Sequence, residues 1–395
     1  MNTTSKTKEI IGQNKIKVNS LAKEIETVED TGEILVDKKP SGRIENWSKY
    51  KKQSRKVYRL FRKAKEQDNH VISANALASI RDCGDVLTFK VNLTKQESKL
   101  HNAFFCKNKF CPICARRRSK LLAYQTSRIV DRILAEEPAA RFLFLTLTTK
   151  NVGSELEIKR EVDRYCESIR RIFNNGKGSL SGIAKKFRQQ VLGTIRHIEV
   201  TFNFEKDKDG QEGYHIHAHL LIAVKASYFL PENYLTQKEF QTMWKQAARL
   251  NYDPIVHIKV IKGHGQDLKK AIIEVSKYPT KPANILDLPE DKAVEVLSNL
   301  QYGLYNRRLV TFTGLFRKYR RELKLEDIEK SNLIHVGDEE TVDEHGDKIE
   351  YHVFRWCQSL KEYICAKYQV VQELDFKFFR EKQRAKILKE YGLTG

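Results

Sequence analysis

The sequence predicts an α+β fold organised around an antiparallel sheet. The stretch from Tyr214 to Val224 is apolar and rich in β-branched residues, and it follows the turn-rich run 206–213, so it predicts a buried strand. A second stretch of this kind, 193–204, ends where that run begins. A short glycine-bearing loop joins strands that run in opposite directions, so these two strands are expected to pair antiparallel. Helical patterns on either side complete the α+β prediction.

The composition favours a nucleic-acid partner and a cytoplasmic location. The 395 residues are enough for two or three domains. Lysine and arginine outnumber aspartate and glutamate by 72 to 51, and this net charge of +21 favours nucleic acid over a membrane. A merely basic soluble protein is the alternative. No apolar run reaches the roughly 18 residues of a membrane span, and residues 1–20 lack a hydrophobic signal core.

The first part of the chain divides into a polar tail and a basic helix. Residues 1–45 are polar and are expected to form a flexible tail, with a short hairpin around Thr31 and Gly32 as an option. Residues 47–65 interleave aromatic residues with lysine and arginine and predict a helix. Its basic face is either solvated or in contact with a DNA backbone.

Four cysteines predict a structural zinc site. Cys111 and Cys114 are separated by two residues, which lets two thiolates bind one ion, and Cys106 lies just upstream. Cys83 can return as the fourth ligand, with His101 as the competing candidate. A redox role is the alternative, but nothing nearby has the pattern of a thioredoxin unit.

Local patterns predict the remaining strands and helices. Arg141–Thr149 is expected to be a strand in a central position of the sheet. Helices are predicted at about 156–173 and 237–250, strands at 255–261, 309–316, 351–356 and 363–371, an acidic linker at 339–347, and a charged helix at the C-terminus.

Three histidines on one strand predict a metal site. Side chains alternate along a strand, so His215, His217 and His219 share one face, and this favours metal binding over a structural histidine ladder. Glu199 lies on the neighbouring strand, on the face that would meet them if the two strands align. A carboxylate beside two imidazoles suits Mn²⁺ or Mg²⁺. Glu199 is otherwise an ordinary exposed residue, and His215 could take its place on the metal.

A helix after the histidine strand carries a glutamate and a tyrosine. Asp267 is expected to cap this helix and Pro279 to end it. Glu274 and Tyr278 are four residues apart and are expected to lie one above the other on its more polar side, with Lys277 nearby. Taken alone, such a pair is usually ordinary surface.

Clusters of basic residues predict the DNA contacts. One cluster follows the cysteines, and another flanks the strand predicted at 309–316. The predicted contacts are Arg116, Arg117, Arg118, Lys277, Arg307 and Arg308.

These features together resemble a known family. The strand Phe144–Thr148, the His217-Ala218-His219 motif and the helix with Glu274 and Tyr278 occur in the same order in plasmid rolling-circle replication initiators. Those proteins belong to the HUH endonucleases, named for two histidines around a hydrophobic residue. The chain is most similar to the subgroup with one tyrosine, a helper glutamate and an upstream cysteine cluster. The resemblance covers about residues 81–325.

The resemblance implies both a fold and a mechanism. It implies a mainly antiparallel sheet of about five strands with flanking helices, two histidine metal ligands (His217 and His219), Tyr278 as the nucleophile and Glu274 as the base of a second step. The expected domains are a tail at 1–45, a basic helix and zinc knuckle at 46–130, an endonuclease domain at 131–325 and an accessory segment at 326–395. The implied partners are a plasmid double-strand origin in single-stranded or hairpin form, a host helicase and a polymerase, with a dimer on the origin left open.

Two other functions are compatible with these residues. A mobilisation relaxase or a transposase of the same superfamily is one, although relaxases generally place the tyrosine before the histidine motif. A non-catalytic, zinc-containing DNA-binding protein is the other. Metal-dependent strand cleavage distinguishes the two enzymes from the binding protein.

Overall fold

The computed structural model describes residues 30–38, 42, 44–94, 97–174, 176, 178–203, 212–262, 265–277, 282–337 and 349–367. The chain divides into two compact units. Unit 1 comprises Met1–Tyr58, Ser73–Cys114 and Asp338–Gly395, and unit 2 comprises Arg59–Ile72 and Ala115–Gly337.

The described residues form twelve strands, ten α-helices and one short 3₁₀ helix. In chain order they are β1 (Asp30–Ile34), β2 (Asp37–Lys38), β3 (Ile44–Glu45), α1 (Trp47–Gln67), α2 (Ala74–Asp82), β4 (Val86–Asn92), β5 (Glu97–Ala103), α3 (Pro112–Glu136), β6 (Arg141–Thr148), α4 (Glu155–Phe173), α5 (Ile183–Gln190), β7 (Val191–Asn203), β8 (Gly213–Val224), the 3₁₀ helix (Ala226–Phe229), α6 (Gln237–Ala248), β9 (Val256–Ile261), α7 (Gln266–Val275), α8 (Pro282–Leu286), α9 (Glu290–Gly303), β10 (Val310–Thr313), α10 (Gly314–Glu322), β11 (Ile349–Cys357) and β12 (Glu362–Lys367). No helix among these is both long enough and apolar enough to cross a membrane.

Unit 2 contains the predicted antiparallel sheet. Its five strands lie in the order β10–β7–β8–β6–β9, and every neighbouring pair is antiparallel. The α+β class is therefore confirmed. The central strand β8 is buried along almost its whole length because its apolar face, from Ile216 to Ile222, packs into the core. Tyr165 of α4 and Trp244 of α6 are fully buried, and each donates a hydrogen bond to a backbone carbonyl of this sheet.

Unit 1 contains a second five-stranded sheet that the sequence did not predict as a unit. Its order is β1–β12–β11–β4–β5, so the first strand of the described residues pairs with the last. The option of a hairpin at Thr31 and Gly32 is therefore wrong, because both residues lie within β1. β1, β2 and β3 also lie inside the predicted flexible tail. The acidic linker and the C-terminal helix fall outside the described residues.

Three element boundaries differ from the prediction. Helix α7 follows Gly265, which provides no side-chain cap, so Asp267 lies in the first turn and is not the N-cap. The same helix ends at Val275, before the predicted stop at Pro279. The apolar run 309–316 changes from β10 to α10 at Gly314, whose φ is +53°. A Cβ there would collide with the carbonyl oxygen of Leu192, so only glycine fits this turn.

Candidate active site

Strands β7 and β8 bring one carboxylate and two imidazoles together. The strand register pairs Glu199 with His217. Glu199 Oε2 lies 3.1 Å from His217 Nε2 and 3.7 Å from His219 Nε2. One ligand atom from each of the three residues lies within 4.8 Å of the others. We call these three residues the carboxylate–imidazole group.

The surroundings of this group orient its ligands. Thr146 of β6 lies opposite His219, and its Oγ1 is 3.1 Å from His219 Nδ1, which leaves Nε2 to face Glu199. The Phe144 ring stacks on His219 at a centroid distance of 5.5 Å. The imidazole of His197, fully buried on β7, lies 6.5 Å from that of His219. His219 is therefore held from several sides.

The three side chains fit a divalent cation. The Glu199 side chain is only 1% exposed, and a buried carboxylate is costly unless a positive charge compensates it. The imidazoles of His217 and His219 are slightly exposed, at 14% and 11%, so one side of the group remains open. An open position beside a few fixed protein ligands is typical of catalytic rather than structural metal sites.

His215 lies outside this group although it is on the same face of β8. Its Nδ1 is 3.1 Å from Asn151 Oδ1, and its ring lies 5.1 Å from that of His217. The register places Thr201, not Glu199, opposite His215. The structure therefore brings Glu199, rather than His215, to the other two histidines.

The glutamate of the predicted catalytic pair lies on α7, which packs against β7, β8 and β9. Glu274 Oε2 is 2.5 Å from Lys277 Nζ, and both side chains are more than a third exposed. Tyr278 lies outside the described residues. Helix α7 itself ends at Val275, three residues before Tyr278, and the expected alignment of Glu274 with Tyr278 stays a prediction.

Unit 1 contains a second group of potential metal ligands, the cysteine cluster Cys83, Cys106, Cys111 and Cys114. Its hydrogen-bonded sulfur pairs are 3.5 to 3.7 Å apart. A tetrahedral ion with metal–sulfur bonds of about 2.3 Å requires sulfur pairs at about 3.8 Å, so the cluster fits zinc. All four cysteines are free thiols. The fourth member is Cys83, whereas His101 is exposed and lies against the Tyr351 ring.

A buried lysine supports the cysteine cluster. The Lys51 side chain is fully buried, its Nζ donates to the carbonyl of Cys83 at 2.6 Å, and it lies 2.5 Å from Asp85 Oδ1. Ser54 Oγ is 3.5 Å from Cys111 Sγ. Burial raises the pKa of the Cys83 thiol, and ion binding to the cluster would release protons from its thiols.

Two of the predicted DNA contacts are buried instead. Arg117 donates to the carbonyls of Leu333 and Ile334 and is only 6% exposed. Arg118 is 1% exposed, and its guanidinium lies 3.8 Å from Glu329. The prediction of phosphate contacts is therefore wrong for these two arginines, because they stabilise the interior of unit 2.

The other predicted DNA contacts remain at the surface. Arg116 is partly exposed. Arg307 pairs with Asp163 at 2.8 Å, and Arg308, whose side chain is 55% exposed, pairs with Asp327 at 2.9 Å.

Three residues that contact a predicted ligand were not themselves predicted: Thr146 beside His219, Asn151 beside His215 and Lys51 beside Cys83. Thr146 was a polar residue on the same face of its strand as Thr148, and a polar residue within an apolar strand was the available signal. The roles of Asn151 and Lys51 depend on contacts between residues 64 and 32 positions apart, which no local pattern reveals.

Comparisons with known proteins identify the family. A family model described as "Replication protein" matches residues 97–364. "Protein rep" of Streptococcus pneumoniae is 36% identical over 327 residues, covering 82% of this chain and 94% of that protein. "Protein rep" of Lactiplantibacillus plantarum is 32% identical over 337 residues, covering 84% and 99%. "Replication protein" of Staphylococcus aureus is 34% identical over 244 residues, covering 61% and 97%. No solved structure matches the chain.

Proposed function

The chain belongs to the replication protein family, and we propose that it initiates rolling-circle replication of a plasmid by nicking one strand of the origin. The observation that supports nicking most strongly is the carboxylate–imidazole group on strands β7 and β8 of the unit 2 sheet. The family relationship supports a replication initiator, as predicted from the sequence. The nuclease chemistry is our proposal.

We assign Tyr278 as the nucleophile. Its Oη attacks the scissile phosphorus, the bond from phosphorus to the 3′ oxygen breaks, and the products are a 5′-phosphotyrosine and a free 3′-OH that a polymerase can extend. With a usual tyrosine pKa of about 10, ionising Oη near pH 7 costs roughly 4 kcal/mol. The site must offset this cost.

Glu199, His217 and His219 hold the divalent ion in this proposal. Bound Mn²⁺ or Mg²⁺ would supply Lewis-acid stabilisation of the charge on the phosphate oxygens. Thr146 contacts His219 Nδ1, which would leave Nε2 of this imidazole available to the ion. Lys277, Arg116, Arg307 and Arg308 are assigned to the DNA backbone.

Glu274 ends the reaction cycle in this proposal. It accepts a proton from water, the water oxygen attacks the phosphotyrosine phosphorus, and the bond to Tyr278 Oη breaks as Oη regains a proton. The side chain is partly exposed on α7 and can therefore reach solvent water. One tyrosine then suffices for a complete cycle.

The same proposal assigns the structural ion and the remaining partners. We assign structural zinc to the cysteine cluster, a host helicase to unwinding and a host polymerase to extension of the 3′-OH. A dimer on the origin and a cytoplasmic location remain part of the proposal.

The test is incubation with a single-stranded oligonucleotide from a cognate origin and Mn²⁺, comparing the unsubstituted protein with Tyr278→Phe. We expect a covalent protein–DNA adduct with the unsubstituted protein only. Tyr302→Phe is the matched control, because Tyr302 is exposed and its Oη donates to Asp68 at 2.5 Å. Tyr214 is buried and accepts a hydrogen bond from Asn299, so it is not accessible as a nucleophile.

Cleavage that persists in Tyr278→Phe would refute the assignment of the nucleophile. Binding without cleavage by either protein, under several divalent metals, would instead favour a non-catalytic DNA-binding protein.

A further inference from the structure

We propose that Tyr165, assisted by Trp244, is a positioning residue that fixes the metal-binding strand β8 through its backbone, next to the ligand His217. This inference rests on the proposed function, because it takes Glu199, His217 and His219 as the ligands of the divalent ion. It concerns two side chains that do not touch the ion or the DNA.

The ladder between β6 and β8 has a gap beside the site. Its last pair joins Thr148 to His217. The chain meets β8 again at a bridge between Val152 and Tyr214, with backbone hydrogen bonds of 3.1 and 2.8 Å. In the described structure, residues 149–151 form no ladder pair with β8. Ile216 therefore lies in the gap, next to the ligand His217.

The side chain of Tyr165, on α4, bridges the two strands at this gap. Its Oη donates to the carbonyl oxygen of Ile216 at 2.7 Å and lies 3.4 Å from that of Leu147, so one phenol links β8 to β6. The residue is fully buried, and burial raises the pKa of its phenol well above the usual value, which keeps the donated proton in place.

The carbonyl of Ile216 that accepts this hydrogen bond helps to set the position of His217. The carbonyl of Ile216 and the nitrogen of His217 belong to one planar peptide unit. A hydrogen bond to that carbonyl therefore restrains the Cα position of His217 and the direction in which its imidazole leaves the strand. On its other side, this peptide is held by the β7 ladder through the pairs Val200–Ile216 and Glu199–His217. Loss of the hydrogen bond on the β6 side would let the peptide tilt and move Nε2 away from Glu199, which it now faces at 3.1 Å.

Trp244 restrains the neighbouring strand at the same level. Its Nε1 donates to the carbonyl of Thr148 at 2.9 Å, and Thr148 is the residue paired with His217. The Trp244 and Tyr165 rings lie 5.0 Å apart. Strand β6, which ends at the gap, and strand β8, which runs past it, are thus both held by buried donors of adjacent side chains.

The test measures Mn²⁺ affinity by electron paramagnetic resonance in the zinc-loaded full-length protein, with no DNA present. We expect Tyr165→Phe to weaken Mn²⁺ binding about 10-fold, in line with losses of outer-shell partners at other metal sites. Tyr228→Phe is the matched control. Tyr228 is also a buried tyrosine whose Oη donates to a carbonyl, that of Leu235 at 3.4 Å, in a short helix that carries no ligand.

The outcomes separate this inference from the proposed function. If Tyr165→Phe lowers the melting temperature but binds Mn²⁺ as tightly as Tyr228→Phe does, Tyr165 is merely structural and the inference is overturned. If Tyr165→Phe does not fold, Trp244→Phe replaces it, with weaker Mn²⁺ binding again expected and unchanged binding contradicting the inference. If His217→Ala and the unsubstituted protein bind Mn²⁺ equally well, the proposed metal site itself fails.

Discussion

The cysteine cluster of unit 1 and the carboxylate–imidazole group of unit 2 hold their ligands in different ways. The cluster takes its four sulfurs from the end of α2, a loop and the start of α3, and three of them are fully buried. The other group takes its ligands from two adjacent strands and keeps both imidazoles slightly exposed. A closed site of soft ligands built from loops suits an ion that stabilises the fold. An open site of harder ligands on a rigid sheet suits an ion that must meet a substrate.

The largest effect is expected from the cysteine cluster. Cys114→Ser should remove zinc and unfold much of unit 1, because structural zinc supplies about 10–16 kcal/mol in zinc-finger peptides. We expect the melting temperature to fall by more than about 10 °C and zinc content to approach zero by elemental analysis. Cys166→Ser, a free cysteine of unit 2, is the control and should keep its zinc. Full zinc content in Cys114→Ser would contradict the assignment of a structural site.

The carboxylate–imidazole group should behave in the opposite way. His217→Ala should leave the melting temperature within about 2 °C and lower the nicking rate by at least about 10²-fold, a typical loss when one electrostatic stabiliser is removed. His257→Ala is the matched control. His257 is paired with Thr146 on β9, is exposed, and lies outside the group. A large loss of stability in His217→Ala would mean that this site, too, is structural.

A smaller effect is expected for Arg117 of α3, the helix that follows the cysteine cluster. Arg117→Ala leaves the carbonyls of Leu333 and Ile334 without their donor, so we expect a loss of about 2–3 kcal/mol in the free energy of unfolding. The salt dependence of DNA binding should not change, because the buried guanidinium makes no phosphate contact. Arg308→Ala, which removes an exposed side chain, should instead reduce the salt dependence of DNA binding and leave the free energy of unfolding nearly unchanged. A reduced salt slope in Arg117→Ala would restore the original DNA-contact prediction.

The difference between the two sites also explains what could be predicted from the sequence. The histidine strand and its neighbour were predictable because side chains alternate along a strand, which left only the register of Glu199 to be fixed by pairing. The second sheet was not predictable, because β1 and β12 are more than 300 residues apart and each is short. The prediction is wrong for Arg117 and Arg118 because a basic run resembles a DNA contact, whereas tertiary contacts decide whether an arginine is buried.

The smallest effect is expected for Glu161, a buried carboxyl group on α4. Glu161 of α4 is 5% exposed, and burial raises its pKa above the usual 4.5, although Arg164 and Thr149 oppose the shift. The folded state therefore binds this proton more tightly than the unfolded state does, so the stability that Glu161 contributes is present below pH 4.5 and is lost as the pH rises through its folded-state pKa. Glu161→Gln cannot lose a proton, so its melting temperature relative to the unsubstituted protein should rise between pH 4 and pH 8.

Glu157→Gln on the same helix is the control. Its melting temperature relative to the unsubstituted protein should fall over the same range, because backbone hydrogen bonds from Gly153 and Ser154 lower the pKa of Glu157. Parallel pH profiles for the two variants would show that burial does not determine the titration of Glu161.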